Sequence, residues 1–451
     1  MTNQMTLTCA AAFLAAAACA TTPAVSSVQY SQAADRSATV SYTLSGGPAI
    51  ITLDVTTNGV SIGGKNLRRV AGDVNRLVTP GSRTIKWDAD YAWADQNDAA
   101  LLTADIVVKA WPLDDPPDWF VANLAKGGTN SWYASVDELP GGLLDNPTYR
   151  TTSIVMRRIH AAGVPWTMGS ISEPGRFANE VPHTVTMTND YYIGVFPVTY
   201  AQWSVVTGMK VPGEGSYIDS GAYGKTYTRE GWREMRPVEN VAFGCVRENS
   251  CDNVQPNAAT YGWPNPPHTS SFLGLLRSIT KIDFDLPGEA QWEYACRAGH
   301  GEGRWGDGSA CTNDTADASL NVLARYVSNG GADPVEGDEN YGKGRNLWTT
   351  ANGTAVVGSH APNSWGIYDM HGNVWEICLD WYEADISSLS KGEINAAGAT
   401  TATGNTVTKR VMRGGNFSTA ARFCRPAYRI DCTPDWPNHK TGFRLVCPVN
   451  F

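Results

Sequence analysis

Alternation of apolar and polar residues dominates the first quarter of the chain. In ATVSYTL (38–44) the residues Val40, Tyr42 and Leu44 recur at every second position. AIITLDV (49–55) repeats the pattern with Ile51, Leu53 and Val55, and Asn58-Gly59 follows as a turn signal. RTIKWD (83–88) and ADIVVKAW (104–111) supply two further strands. A period of two puts one face of each strand inward. Residues 28–115 are therefore expected to form a small antiparallel sandwich of immunoglobulin-like type.

The pattern lapses between 116 and 151. Pro116-Pro117, GGTNS, LPGG and DNPTYR are turn-rich and weakly periodic, which predicts a linker. Beyond it, helix signals are few. Thr199 and Gln202 form a capping box, Trp203 and Val206 share a face, and Gly208 supplies a left-handed stop. LPGEAQWEYACRAG (286–299) predicts a second helix, with Glu289 at its positive end and Arg297 with Gly299 at the other. Elsewhere short β runs alternate with long polar loops, so the class is α+β.

Composition excludes several functions. The chain has 451 residues, a net charge of -9, and basic residues scattered along its length, which argues against a nucleic-acid partner. No apolar run reaches the ~20 residues needed to cross a bilayer. The apolar run Leu7–Ala20, with Ala18-Cys19-Ala20 as a cleavage site, reads as a signal peptide over residues 1–20. A lipid anchor on Cys19 is the second option. The protein is then expected outside the cytoplasm: secreted, periplasmic or on the cell surface. Beyond the leader, Cys245, Cys251, Cys296, Cys311, Cys378, Cys424, Cys432 and Cys447 all fall in the C-terminal half, an even set suited to an oxidising compartment. No Cys-x-x-Cys occurs, so zinc ribbons and thioredoxin-like chemistry lack their motif.

Seven motifs then come in order: MGS (168–170), PHTVTMTNDYYIGVFPVTYAQW (182–203), RPVENVAF (236–243), FDLPGEAQWEYACRAG (284–299), NSWGIYDMHGNVWEICLDWY (363–382), RVMRGGNF (410–417) and GFRLV (442–446). Together, over residues 152–451, they resemble the formylglycine-generating enzyme, or sulfatase-modifying factor, family. The resemblance implies a variant of the C-type-lectin fold. It also implies oxidation of a sulfatase cysteine to formylglycine with O2 and copper(I), a soft ion held by two thiolates. At the positions of that site this chain has Asn416 for a serine, Thr419 for the first cysteine and Cys424 for the second. A threonine hydroxyl is a hard, protonated oxygen, so copper loses one ligand. Cys432 is the candidate substitute, though a plain Cys424–Cys432 disulfide is the simpler use of it.

The resemblance implies more. Gly372, Val374 and Glu376 match a structural calcium segment, in which backbone carbonyls and one carboxylate supply hard oxygens. A second calcium site would involve Asn346 and Leu347. A Cys296–Cys447 bridge is implied between the WEYACR helix and the last strand. His183 and His371 lie inside motifs without a serine or metal-spaced histidine partner, and read as structural. GEGRWGDG (301–308) follows a helix where a dinucleotide loop would open one, and DPVEGDEN (333–340) reads as a solvated loop.

Three roles remain open. The first is a ligand-binding scaffold whose surface between Asn416 and Thr441 includes Phe417, Arg422, Phe423, Tyr428, Trp436 and His439; aromatic and Arg side chains are common anchors. Its ligand would be a protein or a glycan. The second is the sulfatase-directed oxidase, and the third a structural envelope protein.

Overall fold

The computed structural model describes residues 22–35, 37–88, 105–208, 234–248, 265–329, 353–391, 409–434, 438 and 440–449. The leader, Cys251, Asn346, Leu347, the 333–340 loop, Trp436 and His439 lie outside these residues.

The alternating segments are strands. They are β1 (Ala24–Gln32), β2 (Ser37–Ser45), β3 (Ala49–Thr57), β4 (Val60–Ser61), β5 (Val70–Gly72), β6 (Arg76–Val78), β7 (Gly81–Asp88) and β8 (Asp105–Trp111). They form two antiparallel sheets, one in the order β1-β2-β7-β5, the other built on β3, which pairs with β4, β6 and β8. Val40, Tyr42, Leu44, Ile51, Leu53, Val55, Ile85 and Trp87 point into one shared core, as the period of two requires. Asn58 and Gly59 both take positive φ at the β3–β4 turn.

The expected linker is instead part of the next unit. Its strands β9 (Trp119–Asn123) and β10 (Ser131–Tyr133) join β11 (Ser153–Ile159). After these come β12 (Pro165–Met168), β13 (His183–Thr186), β14 (Tyr191–Gly194), β15 (Trp375–Trp381), β16 (Arg410–Arg413), β17 (Arg429–Cys432), β18 (Thr441–Gly442) and β19 (Val446–Pro448). One sheet runs β10-β9-β11-β14-β19 and another β17-β16-β15-β18, with β12 and β13 a hairpin. Turn-rich composition hid β9 and β10 because both faces are covered: Trp119, Phe120, Val121 and Ala122 are all buried, so no alternation is visible.

The helices are α1 (Tyr200–Thr207), α2 (Phe243–Arg247), α3 (Phe272–Thr280), α4 (Glu289–Arg297) and α5 (Leu320–Leu323). Both sides of the Thr199–Gln202 capping box are made, and Gly208 caps α1 at φ 72°. Helix α4 ends on Ala298 in the left-handed region, one residue before Gly299. It packs between β12, β15 and β16, with Trp292 and Cys296 fully buried.

With so little regular structure, buried ion pairs hold the loops. Arg413 reaches Glu289 at 3.0 Å and Glu293; Arg429 bonds Glu289 at 2.7 Å; Arg425 bonds Glu180 at 2.6 Å and Glu173 at 2.9 Å. Each of these arginines is almost wholly enclosed.

The sandwich rests on residues 131–141. Gly64 N–H donates to Asp137 O, Gly141 N–H to Gly64 O and Trp132 N–H to Asn75 O. Glu138 lies in this seam, accepting from Ala134 N–H at 3.0 Å. Desolvation first, then Asp54 and Asp137, push its carboxyl up to about 7. The folded chain thus holds this proton where the unfolded chain has lost it. Stability should fall as pH rises from about 4.5 to about 7, by about 2 kcal/mol after allowance for solvent screening. Denaturant titrations at both ends of that window should show the loss, and Glu138→Gln should flatten it.

Candidate functional site

Strand β16 delivers RVMR into the core and Gly414-Gly415 turns the chain back over Cys424. Gly415 needs to be glycine: its φ is 77°, and a Cβ there would come 2.6 Å from the Cys424 Sγ. The turn continues through Asn416, whose Oδ1 accepts from Ser418 N–H and Oγ–H. Thr419 Oγ1 accepts from Asn416 N–H and donates to Asn416 O, both at 3.0 Å. Both residues that replace the family's site chemistry are therefore used to tie the loop.

The Cys424 Sγ lies 3.8 Å from Thr419 Oγ1. The thiol is fully buried, and desolvation pushes it up to about 12, so the neutral form prevails at physiological pH. A hydroxyl and a protonated thiol do not fit copper(I), which wants a pair of thiolates. Cys432 does not repair the site. It sits on β17 opposite Arg410, packed against a different core cluster, and both it and Cys424 are free thiols. The simpler expectation, a Cys424–Cys432 disulfide, is thus also not met.

Cys311, which the sequence counts among its cysteines without giving it a role, lies close by. It shares the cluster of Trp305, Leu320, Tyr326 and Ala421 with Cys424. No motif marked it, because it approaches through a loop far away in sequence.

The implied Cys296–Cys447 bridge is absent; both thiols are free. Alternation on the last strand explains this. Val446 faces the cluster that contains Cys296, whereas Cys447 faces the opposite side with Leu445 and Val449. Cys245 is disulfide-bonded.

Glu376 does not fit calcium. Its carboxylate takes a bidentate Arg444 at 2.7 and 2.9 Å and the Trp292 indole N–H at 2.7 Å. A dication beside Gly372, Val374 and Glu376 would meet a fixed guanidinium at contact distance. Among the described residues no group of three or more His, Cys, Asp or Glu is placed to hold a metal. Glu376→Gln is expected to leave the response of the melting curve to calcium unchanged; a calcium-dependent rise that Glu376→Gln abolishes would reverse this assignment.

His371 is buried. Nδ1–H donates to Cys424 O at 2.8 Å and Nε2 accepts Gly306 N–H at 3.1 Å, while desolvation brings the ring down to about 4. It is a neutral brace. His183 bonds Val181 O from the β13 hairpin.

The expected ligand surface is only partly on the surface. Phe417 is 2% exposed and Tyr428 6%, so both belong to the core. Large aromatics in loops read as surface in sequence, but here the loops themselves form the interior. Phe423 and Arg422 remain partly open, with the guanidinium 4.8 Å over the Phe423 ring. Phe177, which the sequence reading did not single out, stacks on Phe423 at 6.0 Å and meets Tyr428 edge-on at 5.2 Å. The loop carrying Phe177 is pinned from below by Arg425, through Glu173, Glu180 and Gly175 O. An aromatic face backed by a rigid ion-pair anchor results.

The geometry defines a loop-rich α+β domain stapled by buried Arg–carboxylate pairs, with an incomplete thiol pair beneath a double-glycine turn. The sequence model of the sulfatase-modifying factor enzyme 1-like domain matches residues 154–449, and the chain belongs to that family. It is similar to the formylglycine-generating enzyme of Thermomonospora curvata, 34% identical over 36% of this chain and 48% of that one. The alignment thus spans about half of that relative's length. It is also similar to the formylglycine-generating enzyme of Mus musculus, at 30% identity over 63% of this chain and 73% of that one. The chaperone protein LppX of Paenibacillus barcinonensis is 29% identical over 48% and 72%.

Proposed function

We propose that this chain is a non-catalytic member of its family, a scaffold that presents the Phe177–Phe423 face with Arg422 as a ligand-binding surface. One observation carries the reading. The position facing Cys424 holds a loop-tying threonine, and the remaining thiol is enclosed and protonated. An oxidase needs an accessible thiolate pair, while a binding surface needs only rigid, partly exposed aromatics with an adjacent guanidinium. The similarity to a protein named a chaperone accords with a binding role in this family.

The reading includes export through the leader, a site of action at the cell envelope, and an immunoglobulin-like sandwich as spacer or docking module. No helix among the described residues is long and apolar enough to cross a membrane. The second reading, formylglycine generation, is favoured by the enzymes to which the chain is similar.

The deciding experiment incubates the copper-loaded full chain with a Cys-x-Pro-x-Arg peptide and follows the peptide cysteine by mass. No conversion is expected. Turnover that disappears in Cys424→Ala would establish the oxidase instead.

A further inference from the structure

Among the free thiols, one pair lies under the candidate binding face. Cys311 and Cys424 are free, buried and packed into one apolar box with Trp305 and Tyr326. The bend after Cys311 lies directly against the 3-10 turn Ala421–Cys424: Arg422 N–H donates to Asp314 O at 2.8 Å, and Ala421 N–H to Thr315 O at 3.1 Å. Cys311 lies three residues before Asp314 and Cys424 two after Arg422, and both side chains enter the same small core cluster. Arg425 favours the Cys311 thiolate, and Cys311 in turn raises Cys424, as neighbouring acids do. Cys245 shows that disulfide formation belongs to the chain's folded state.

We propose that Cys311 and Cys424 are an oxidisable pair that closes to a disulfide, stapling the 303–317 loop beneath the Arg422–Phe423 face. The oxidant is a small disulfide such as oxidised glutathione. Cys311, slightly exposed where Cys424 is not, attacks one sulfur of it and releases one small thiol, which takes up the proton. Cys424 then displaces the second small thiol from the mixed disulfide. Two protein thiols and one small disulfide become one protein disulfide and two small thiols, so the pair gives up two electrons and two protons in all. Burial keeps both thiolates scarce, so closure is slow in the native state and follows local opening of the 311–317 segment.

The pairing stands whether or not the aromatic face binds a ligand, and its test involves no ligand. The full chain is incubated with oxidised glutathione, quenched in acid, alkylated in denaturant and mapped by non-reducing peptide mass analysis. A peptide pair joining Cys311 to Cys424 is expected, in addition to the Cys245 disulfide. Titratable thiols should fall by two. Cys311→Ser should abolish that loss, while Cys432→Ser should leave it in place. Should Cys311→Ser misfold, the wild-type peptide map decides alone. Both thiols alkylated after prolonged oxidation, or Cys424 joined to Cys296 or Cys432, would overturn the proposal.

Discussion

Arg413→Met is expected to cost about 3–5 kcal/mol and to unfold the C-terminal unit well before the sandwich, as seen in a denaturant titration followed by tryptophan fluorescence. The side chain is fully buried, ion-paired with Glu289 and hydrogen-bonded to Glu293, Pro426 O and Tyr428 O. Methionine fills much of the space but leaves two carboxylates with one fewer cation and two carbonyls without donors. Glu293 would still have Arg297, and Glu289 would still have Arg429, so collapse is not total. A loss below about 1 kcal/mol would mean that those arginines neutralise the site unaided. The double variant Arg413→Met with Glu293→Gln should recover part of the loss, because it removes a buried charge along with its partner.

The second large effect is a gain. Thr419 Oγ1 already stands 3.8 Å from the Cys424 Sγ. Thr419→Cys should therefore set two sulfurs about as far apart and create a soft two-thiolate site, raising copper(I) retention against a chelator by orders of magnitude. The comparison belongs in a Cys311→Ser background, so that only the new pair is read. An unchanged copper affinity would show that the enclosing loop, and not the missing sulfur, excludes the metal. The same substitution loses both hydrogen bonds that Thr419 makes to Asn416, so some loosening of the turn is expected as well.

Much of this was legible in the sequence where a local rule acts alone. The period of two in residues 38–55 fixed which side chains enter the sandwich core, and Thr199, Gln202 and Gly208 fixed both ends of α1. The rest was hidden for physical reasons. Strand β9 is covered on both faces and shows no alternation. Helix α3 was missed although Ser271 caps it through Gly274 N–H, because Lys281 and not a glycine takes the left-handed stop. The resemblance implied a Cys296–Cys447 bridge, but in the folded chain Cys447 lies on the face of the last strand turned away from Cys296, which only the tertiary packing reveals. Phe417 and Tyr428 illustrate a general difficulty: in a domain built from loops, loop position does not imply exposure. Cys311 reaches Cys424 only through tertiary folding, and no spacing rule connects residues so far apart.

The buried ion pairs also bear on how such chains are found. Arg413 of RVMRGG and Arg444 of GFRLV end on Glu289, Glu293 and Glu376 inside the protein, so any substitution there is a folding defect before it is a chemical one. A search pattern assembled from those motifs therefore selects for an intact scaffold and is blind to whether the reaction survives. Mutational tolerance lies elsewhere, at positions such as 177, 419 and 422–423, where a side chain can change its purpose without disturbing a single buried charge.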